Sequence, residues 1–519
     1  MRKSILTLLF LGLFATMASA QKEFANVALP LRNPEDLVTV ADDDGNVCIY
    51  FFQNSKLYFS LLSSNGQQIA QHEIPYRFSK DPQVLGTRVT DDEFVFYSRY
   101  TNGRREYVRP FAVNRETGAF RSIQDQQLDV KRGENFIGGF GNDNHFYMLY
   151  TDKKDNLYLY RDAEDDMAHL ELKVFKPEMP DTRDRYGRLA DLIYVHPDLE
   201  GTVYTGYHRS KIYTRDDKVY MVFDGYSLKG KGNKATTEIL ALDWNSGETS
   251  YRTLPEIEQK KGPSFNSFLY NNTLFRVHLE RDQLNLAAYD FSTLQPVKTY
   301  SYNGDQEITI KSTPVRQRGS KGLFSSDNTV IEKTSKVMKN LASGVPAITV
   351  DKFSDNSIQL TIGSYQPPSE RRDGNQDFSR MIRTSDRYYQ TSRGLVMIPG
   401  RWTPAYNIPS YYLNSPYYSR YFYDPMGQNG NLPTGPGVST YFRSILNSNS
   451  LAKVESKEEP VVLQDKIEQY EDNLKPEPEF QTVYRYGNKL HYGYYDRKSR
   501  TFRIMEFAKN QEQPLPSPQ

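Results

Sequence analysis

Along this chain, polar pairs that favour a turn are followed again and again by runs in which apolar and polar positions alternate. The clearest copy is Asp216-Asp217 followed by Lys218-Val219-Tyr220-Met221-Val222-Phe223. The same order occurs at Asp43-Asp44 before 47–52, Asp91-Asp92 before 94–97 and Asn142-Asp143 before 146–150. It returns at Asn271-Asn272 before 274–279, Asp355-Asn356 before 358–362 and Gly487-Asn488 before 490–495. Alternation with a period of two places successive side chains on opposite faces of a strand, and Asp, Asn and Gly supply the tight turn ahead of it. Seven copies make an internal repeat, which outranks the other sequence signals as a guide to architecture.

Each copy sits inside a unit of about forty residues that reads as four short strands joined by turn residues. The first unit, 36–75, has strand-like runs at 37–40, 47–52, 57–62 and 67–74. Units at 84–123 and 135–175 follow the same plan, and a fifth spans 264–302. The last unit supplies three runs, 482–486, 490–495 and 501–507, and the N-terminal run 21–31 is available as its fourth. Units that cannot bury both faces alone must pack on one another. The repeat resembles a β-propeller in the general sense, over nearly the whole of residues 21–509. It lacks the Gly-His and Trp-Asp pairs of WD40 repeats and the di-glycine pattern of kelch repeats, so the resemblance carries no functional residues. It implies an all-β, seven-bladed β-propeller, with six or eight blades left open by the irregular spacing. Two β-sandwiches with a separate C-terminal domain are the alternative.

Three stretches break the rhythm. An insertion at 176–201, carrying Arg183, Asp184, Arg185 and Arg188, precedes the fourth unit's core. Val330, Lys333, Thr334, Val337, Met338 and Leu341 recur at helical spacing, with Ser326 or Asp327 as N-cap and Gly344 as C-cap, predicting one decorating helix over about 327–342. The sixth unit is interrupted after Tyr365 by 366–437, and then resumes at 440–446 and 451–455. That insertion holds Trp402, Tyr406, Tyr411, Tyr412, Tyr417, Tyr418, Tyr421 and Tyr423 among Pro404, Pro409, Pro416 and Pro425, a proline density that excludes a regular helix or central strand. A charged stretch at 456–479 includes a short helix candidate at 463–470, and the proline-bearing tail 510–519 reads as disordered.

Composition narrows the compartment more than the chemistry. Residues 1–20 read as a signal peptide: Arg2 and Lys3, an apolar core over 5–14, and Ala18-Ser19-Ala20 before Gln21. No cysteine sits at that cleavage site, and no later window is apolar enough to span a bilayer. The expected location is the periplasm, the cell surface or the medium. The chain has 65 Lys and Arg against 64 Asp and Glu, and removing residues 1–20 takes away Arg2 and Lys3 and no acid, leaving 63 against 64. This balance provides no global attraction to nucleic acid or anionic lipid. The single Cys48 excludes an internal disulfide and alternates with Val47 and Ile49, which marks it as a buried small hydrophobe.

The seven histidines, at 72, 145, 169, 196, 208, 278 and 491, form no zinc-ligand spacing and read as surface or strand-end residues. Asp42-Asp43-Asp44-Gly45-Asn46 and 162–166 tempt a calcium reading, yet they lack the closing glutamate and have the composition of ordinary turns. No G-x-S-x-G elbow is present, and Gly139-Phe140-Gly141 and the Gly230/Gly232 loop lack the context of a phosphate cradle. The 183–188 insert and the Arg316, Arg318, Lys321 patch read as solvated loops. No cofactor is expected. The Tyr/Pro insertion is the expected contact surface, through Trp402, Tyr406, Tyr411, Tyr412, Tyr417, Tyr418 and Tyr421, because aromatics on a restricted backbone give contact area at low entropic cost. A lid over the sheets is its competing reading. The expected function is an exported, non-enzymatic binding or scaffolding protein for a protein or glycan partner, monomeric or part of an envelope assembly. The alternative is a secreted glycoside hydrolase or polysaccharide lyase with carboxylates converging on a central channel.

Overall fold

In a computed structural model, the described residues run from 21 to 508 with gaps, the longest being 30–35, 78–82, 319–327, 367–380, 405–437 and 456–462. Seven sheets of four or more strands follow one another among them. Sheet 1 is built from Asp36–Ala41, Val47–Gln53, Lys56–Leu62 and Gln68–Arg77. Sheet 2 runs from Gln83–Val89 to Gln126–Leu128, sheet 3 from Asn135–Gly141 to Leu170–Phe175 and sheet 4 from its first strand Ser210–Arg215 to Ile257–Glu258, with Leu192–Tyr194 added beside Ser210–Arg215. Sheet 5 spans Phe265–Tyr270 to Pro296–Asn303, and sheet 6 is centred on Val345–Ser354, Ser357–Gln366 and Val438–Asn447. Sheet 7 combines Glu479–Tyr486, Lys489–Asp496 and Thr501–Ala508 with the N-terminal strand Gln21–Val27, which pairs antiparallel with Thr501–Ala508. The expected joining of the two ends of the chain in one sheet is therefore present.

The repeated polar pairs have a structural meaning. Each falls at the hairpin between the first and second strands of its sheet, although 142–143 and 488 lie outside the described residues. A second repeat sits beside it, after the third strand, at Asn114…Thr117, Asp243…Ser246, Asp290…Thr293 and Asn447…Ser450; the same motif recurs as Asp496…Ser499 between the second and third strands of sheet 7. In four of these the Asp or Asn Oδ1 accepts the amide three residues on, at 2.9, 3.0, 2.8 and 2.8 Å, and in the fifth Asp496 Oδ2 accepts from Ser499 Oγ at 3.0 Å. The next residue turns left-handed, as Gly118 (φ 69°), Gly247 (φ 72°), Leu294 (φ 57°), Leu451 (φ 55°) and Arg500 (φ 57°). The two hairpins are tied together in four sheets. The amide after the Asp or Asn donates to the carbonyl of the polar pair's second residue: Arg115 to Asp92, Trp244 to Asp217 and Phe291 to Asn272 at 2.9 Å, and Ser448 to Asn356 at 3.0 Å. In these four sheets both hairpins thus lie at one end, and the second-to-third loops lie at the other.

Apolar faces join successive sheets. Tyr50 and Phe59 meet Phe96 and Phe111 between sheets 1 and 2, and Leu85 and Tyr97 meet Phe146 and Met148 between sheets 2 and 3. Leu149 and Leu159 meet Met221 and Leu240, Val222 and Ile239 meet Leu269 and Leu274, and Val277 and Leu286 meet Ile348 and Leu360. Ile49 and Leu62 meet Phe502 and Ile504 between sheets 1 and 7. Charged ties cross the same boundaries: Arg115 to Asp42 at 2.6 Å, Arg88 to Asp162 at 2.6 Å and Arg161 to Asp217 at 2.6 Å. Buried Cys48 lies in the first of these cores, its thiol pushed up by burial.

Several expectations change. The helix covers only Thr334–Leu341, with Val337, Met338 and Leu341 in the core, whereas Asn328–Ile331 is a strand paired with Val315–Arg318. Thr329, Val330 and Ile331 are β-branched and fit a pleated edge better than a helix. Gly344 is no left-handed cap: a Cβ there would stand 2.7 Å from the Tyr365 carbonyl carbon, so its role is close backbone approach. The fourth strand expected at 451–455 shrinks to a single bridge, Leu446 to Lys453, because Val315–Arg318 occupies the other half of that edge. At 463–470 the described positions Leu463, Lys466, Ile467 and Tyr470 are helical, and Leu463 and Ile467 pack on sheet 7.

A candidate site along the inner strands

The insertion ahead of sheet 4 occupies the space beside the first strands of sheets 4, 5 and 6. Leu192–Tyr194 adds to Ser210–Arg215 in parallel, and the turn of helix Val203–Gly206 touches Phe265–Tyr270, Val345–Ser354 and Ser357–Gln366. Its apolar residues are buried, with Tyr207 ring to ring with Tyr365 at 4.7 Å. Arg188, expected on a solvated loop, is 7% exposed. It donates to Glu238, which is fully buried, at 2.7 and 2.9 Å, and to the Pro180 carbonyl. The correction has a plain cause: an arginine so desolvated requires a carboxylate partner, and that partner lies fifty residues away in sequence.

A buried polar cluster holds the insertion's end. Asn266 Nδ2 donates to the carbonyls of Tyr207 (3.0 Å) and Pro346 (2.8 Å), while Lys211 Nζ donates to the His208 carbonyl (2.5 Å) and Asn266 Oδ1 (2.6 Å). Burial lowers the Lys211 ammonium to about 8 against the opposing pull of Asp224. Burial and the neighbouring Lys211 charge lower His208 to about 3. Asp224 has its own donors in Ser267 N (2.9 Å), Ser267 Oγ (2.7 Å) and Thr237 Oγ1 (2.6 Å). With every group so engaged, the cluster is a clamp on the chain.

Below the insertion lies a cavity of about 370 Å³, bounded by the ends of the first strands of sheets 4, 5, 6 and 7 next to their hairpins. Tyr213, Phe268 and Tyr270 give it aromatic walls, and Arg215, Lys352 and Arg485 bring positive charge. Asp351 is the carboxylate among its described lining residues, and its Oδ1 accepts the Gly201 amide of the insertion at 2.8 Å. Burial, then the Asp351 charge, raise the Tyr270 phenol above its usual value, with Lys352 and Arg485 opposing. Tyr270 is therefore a neutral hydroxyl among three charged groups. Paired carboxylates for glycoside hydrolysis are not found among the described lining residues.

The sequence-derived contact residues fare differently. Trp402 lies on a short strand, Trp402–Pro404, paired with Met381–Arg383. Tyr406, Tyr411, Tyr412, Tyr417, Tyr418 and Tyr421 lie outside the described residues, as do residues 1–20 and 509–519. The acidic turn at 42–46 is a structural device: Asp42 accepts from the amides of Asp44 and Asn46, from Asn46 Nδ2 at 2.9 Å and from Arg115 at 2.6 Å. Asp162, at the start of the second acidic turn, is buried and accepts from Arg88, Tyr97 and the Phe146 amide. No group of His, Cys, Asp or Glu spaced to hold a metal occurs among the described residues. Two histidines read as surface or strand-end residues, His145 and His491, are buried at 6% and 1% exposure. The cavity residues carry no local motif; the repeat itself was the available signal, since Tyr213, Arg215, Phe268, Tyr270, Asp351, Lys352 and Arg485 lie at or near the ends of first strands.

No protein-family model matches the chain, and no curated protein matches it. Solved structures of similar build include the Dos1 propeller, at 11% identity and TM-score 0.27, covering 63% of this chain and 66% of that one. They also include prolyl oligopeptidase B from Galerina marginata, at 9% identity and TM-score 0.32, covering 70% of this chain but 45% of that one. The uncharacterized protein lmo1340 from Listeria monocytogenes EGD-e matches at 11% identity and TM-score 0.29, over 54% of this chain and 70% of its own. Scores of this size carry no argument about activity, ligand or blade number. They set a propeller among the neighbours of an all-β chain. No helix among the described residues is long and apolar enough to cross a membrane.

Proposed function

We propose that the chain is an exported, non-enzymatic β-propeller of seven blades, one per sheet, that binds or scaffolds a protein or glycan partner at the cell envelope or surface. The observation that supports this reading is the packing of the insertion: clamped by Asn266 and Lys211, it takes up the space beside the first strands of sheets 4, 5 and 6, where the axis of such a propeller would run and a hydrolase would hold its substrate between two carboxylates. Recognition is then assigned to the end of the sheets opposite the hairpins. Two long excursions leave sheets 5 and 6 there, at 304–344 and 367–437. The second carries Trp402, Tyr406, Tyr411, Tyr412, Tyr417, Tyr418 and Tyr421, the residues assigned to partner contact.

Two measurements test it. N-terminal sequencing of protein recovered outside the cytoplasm is expected to begin at Gln21, and a retained Met1 counts against export. Residues 21–519 and a variant lacking 400–425 are then compared for capture from envelope extract and on a glycan array, with circular dichroism as the folding control. Loss of one defined partner from the folded variant supports the reading. Identical capture by both removes the Tyr/Pro segment from the interface, and release of reducing ends from a polysaccharide overturns the non-enzymatic assignment.

A further inference from the structure

We infer that the cavity at the hairpin end of sheets 4–7 is a binding site for the oxyanion of a small, sugar-sized ligand, with Arg485 and Lys352 taking the charge and Tyr270 donating a hydrogen bond. Four observations converge. The volume, about 370 Å³, falls in the range of about 300–1,000 Å³ of small-molecule sites. Among the described lining residues, three are cationic and one anionic, a balance of plus two that favours an anion. The one acid, Asp351, already accepts the Gly201 amide at 2.8 Å. Lys352 is held by Asp355 at 2.9 Å, but its side chain is 63% exposed and that of Asp355 93% exposed, so the pair is weak and open to exchange.

The chemistry follows from these groups. Guanidinium presents a planar fork of donors to a carboxylate or a phosphate. The Tyr270 phenol, kept protonated, donates to an anion and does not repel it. Phe268 and Tyr213 offer apolar walls for the ring of a sugar, whose faces of C–H groups pack on aromatics. This site deepens the binding reading yet lies at the hairpin end of the sheets, whereas the strands Ser357–Gln366 and Val438–Asn447 that flank 367–437 meet that segment at their other ends, so the two fail separately: loss of anion binding leaves capture through that segment untouched.

Isothermal titration calorimetry on residues 21–519 at low salt, with glucuronate, glucose 6-phosphate and glucose as probes, decides the matter. Either anion is expected to bind and glucose is not; which anion wins names the source of the charge. Arg485→Met is expected to weaken the favoured anion roughly 10- to 100-fold, the worth of a lost hydrogen bond to a charged group. Because Arg485 lies on a sheet strand, where a substitution also tests the fold, Lys352→Met provides the second variant; at an exposed position it leaves the fold intact and is expected to weaken binding roughly threefold. Added sodium chloride weakens both by screening. Glucose binding as tightly as its charged counterparts, no binding of either anion to folded protein, or an unchanged affinity in both variants overturns the assignment.

Discussion

Asp162 provides a sharp test of how the sheets are held together. Its carboxylate is fully buried between sheets 2 and 3, where it accepts from Arg88 Nη1 at 2.6 Å, the Phe146 amide at 2.7 Å and the Tyr97 hydroxyl at 3.2 Å, with His145 Nδ1 at 3.5 Å. Asp162→Ala removes the acceptor and leaves a largely buried guanidinium, an amide and a phenol without it. Breaking a buried pair by deleting one partner costs about 3–5 kcal/mol, and each further orphaned donor adds about 1–3 kcal/mol less what water entry recovers. We expect a net loss of about 4–6 kcal/mol, comparable to the whole stability of many domains. Asp162→Asn keeps an acceptor for the Phe146 amide and loses the charge, for about half that cost. Arg88→Met leaves Asp162 with two donors and costs about 2 kcal/mol. Urea denaturation followed by circular dichroism reads all three, the m-value serving as check that the unfolding unit is unchanged, and the Arg88–Asp162 double-mutant cycle isolates the pair. A loss below about 1 kcal/mol for Asp162→Ala, or equal losses for Ala and Asn, refutes the account.

Three more outcomes are expected. His491 is 1% exposed and is lowered by burial to about 4 against the pull of Glu506 at 3.6 Å. The unfolded chain, with its histidine near 6.5, takes up the proton first on acidification, so this stability is complete above pH 6.5 and fades toward pH 4, by about 2 kcal/mol at pH 5; His491→Phe should flatten that slope in pH-dependent urea titrations. Gly118→Ala forces a side chain into φ 69° with a Cβ 2.4 Å from that of Ala70, whereas Gly247→Ala meets only the left-handed backbone at φ 72°. Losses of about 2–3 and about 1 kcal/mol are expected, and equal melting temperatures would show that the contact with Ala70 is relieved. Removing residues 21–27 strips Thr501–Ala508 of its outer partner, leaving only Lys489–Asp496 beside it, and exposes Phe502 and Ile504; at about 1 kcal/mol per ladder bond, the truncated protein should lose several kcal/mol and self-associate through the open edge, which light scattering reads.

What the sequence determined on its own is what depends on neighbours in the chain. Period-two alternation placed nearly every strand, and the polar pairs located the first hairpin of each sheet, because a turn and the strand after it are built from a handful of adjacent residues. The three-strand last unit left a place that the N-terminal run 21–31 was available to fill, and the strand Gln21–Val27 fills it. The second hairpin signal, Asp or Asn followed three residues on by Ser or Thr, was equally legible. Tertiary structure decided the rest. Thr329–Ile331 became a strand because Val315–Arg318, paired with Val438–Asn447, offered it an open edge, which no local propensity records. Arg188 looked like a solvated charge until Glu238, fifty residues on, came to meet it. The cavity gathers Arg215, Tyr270, Asp351 and Arg485 from four sheets, and Gly201 reaches Asp351 across 150 residues. Desolvation and charge act through space, so a site made by packing separate sheets leaves no motif in any one of them.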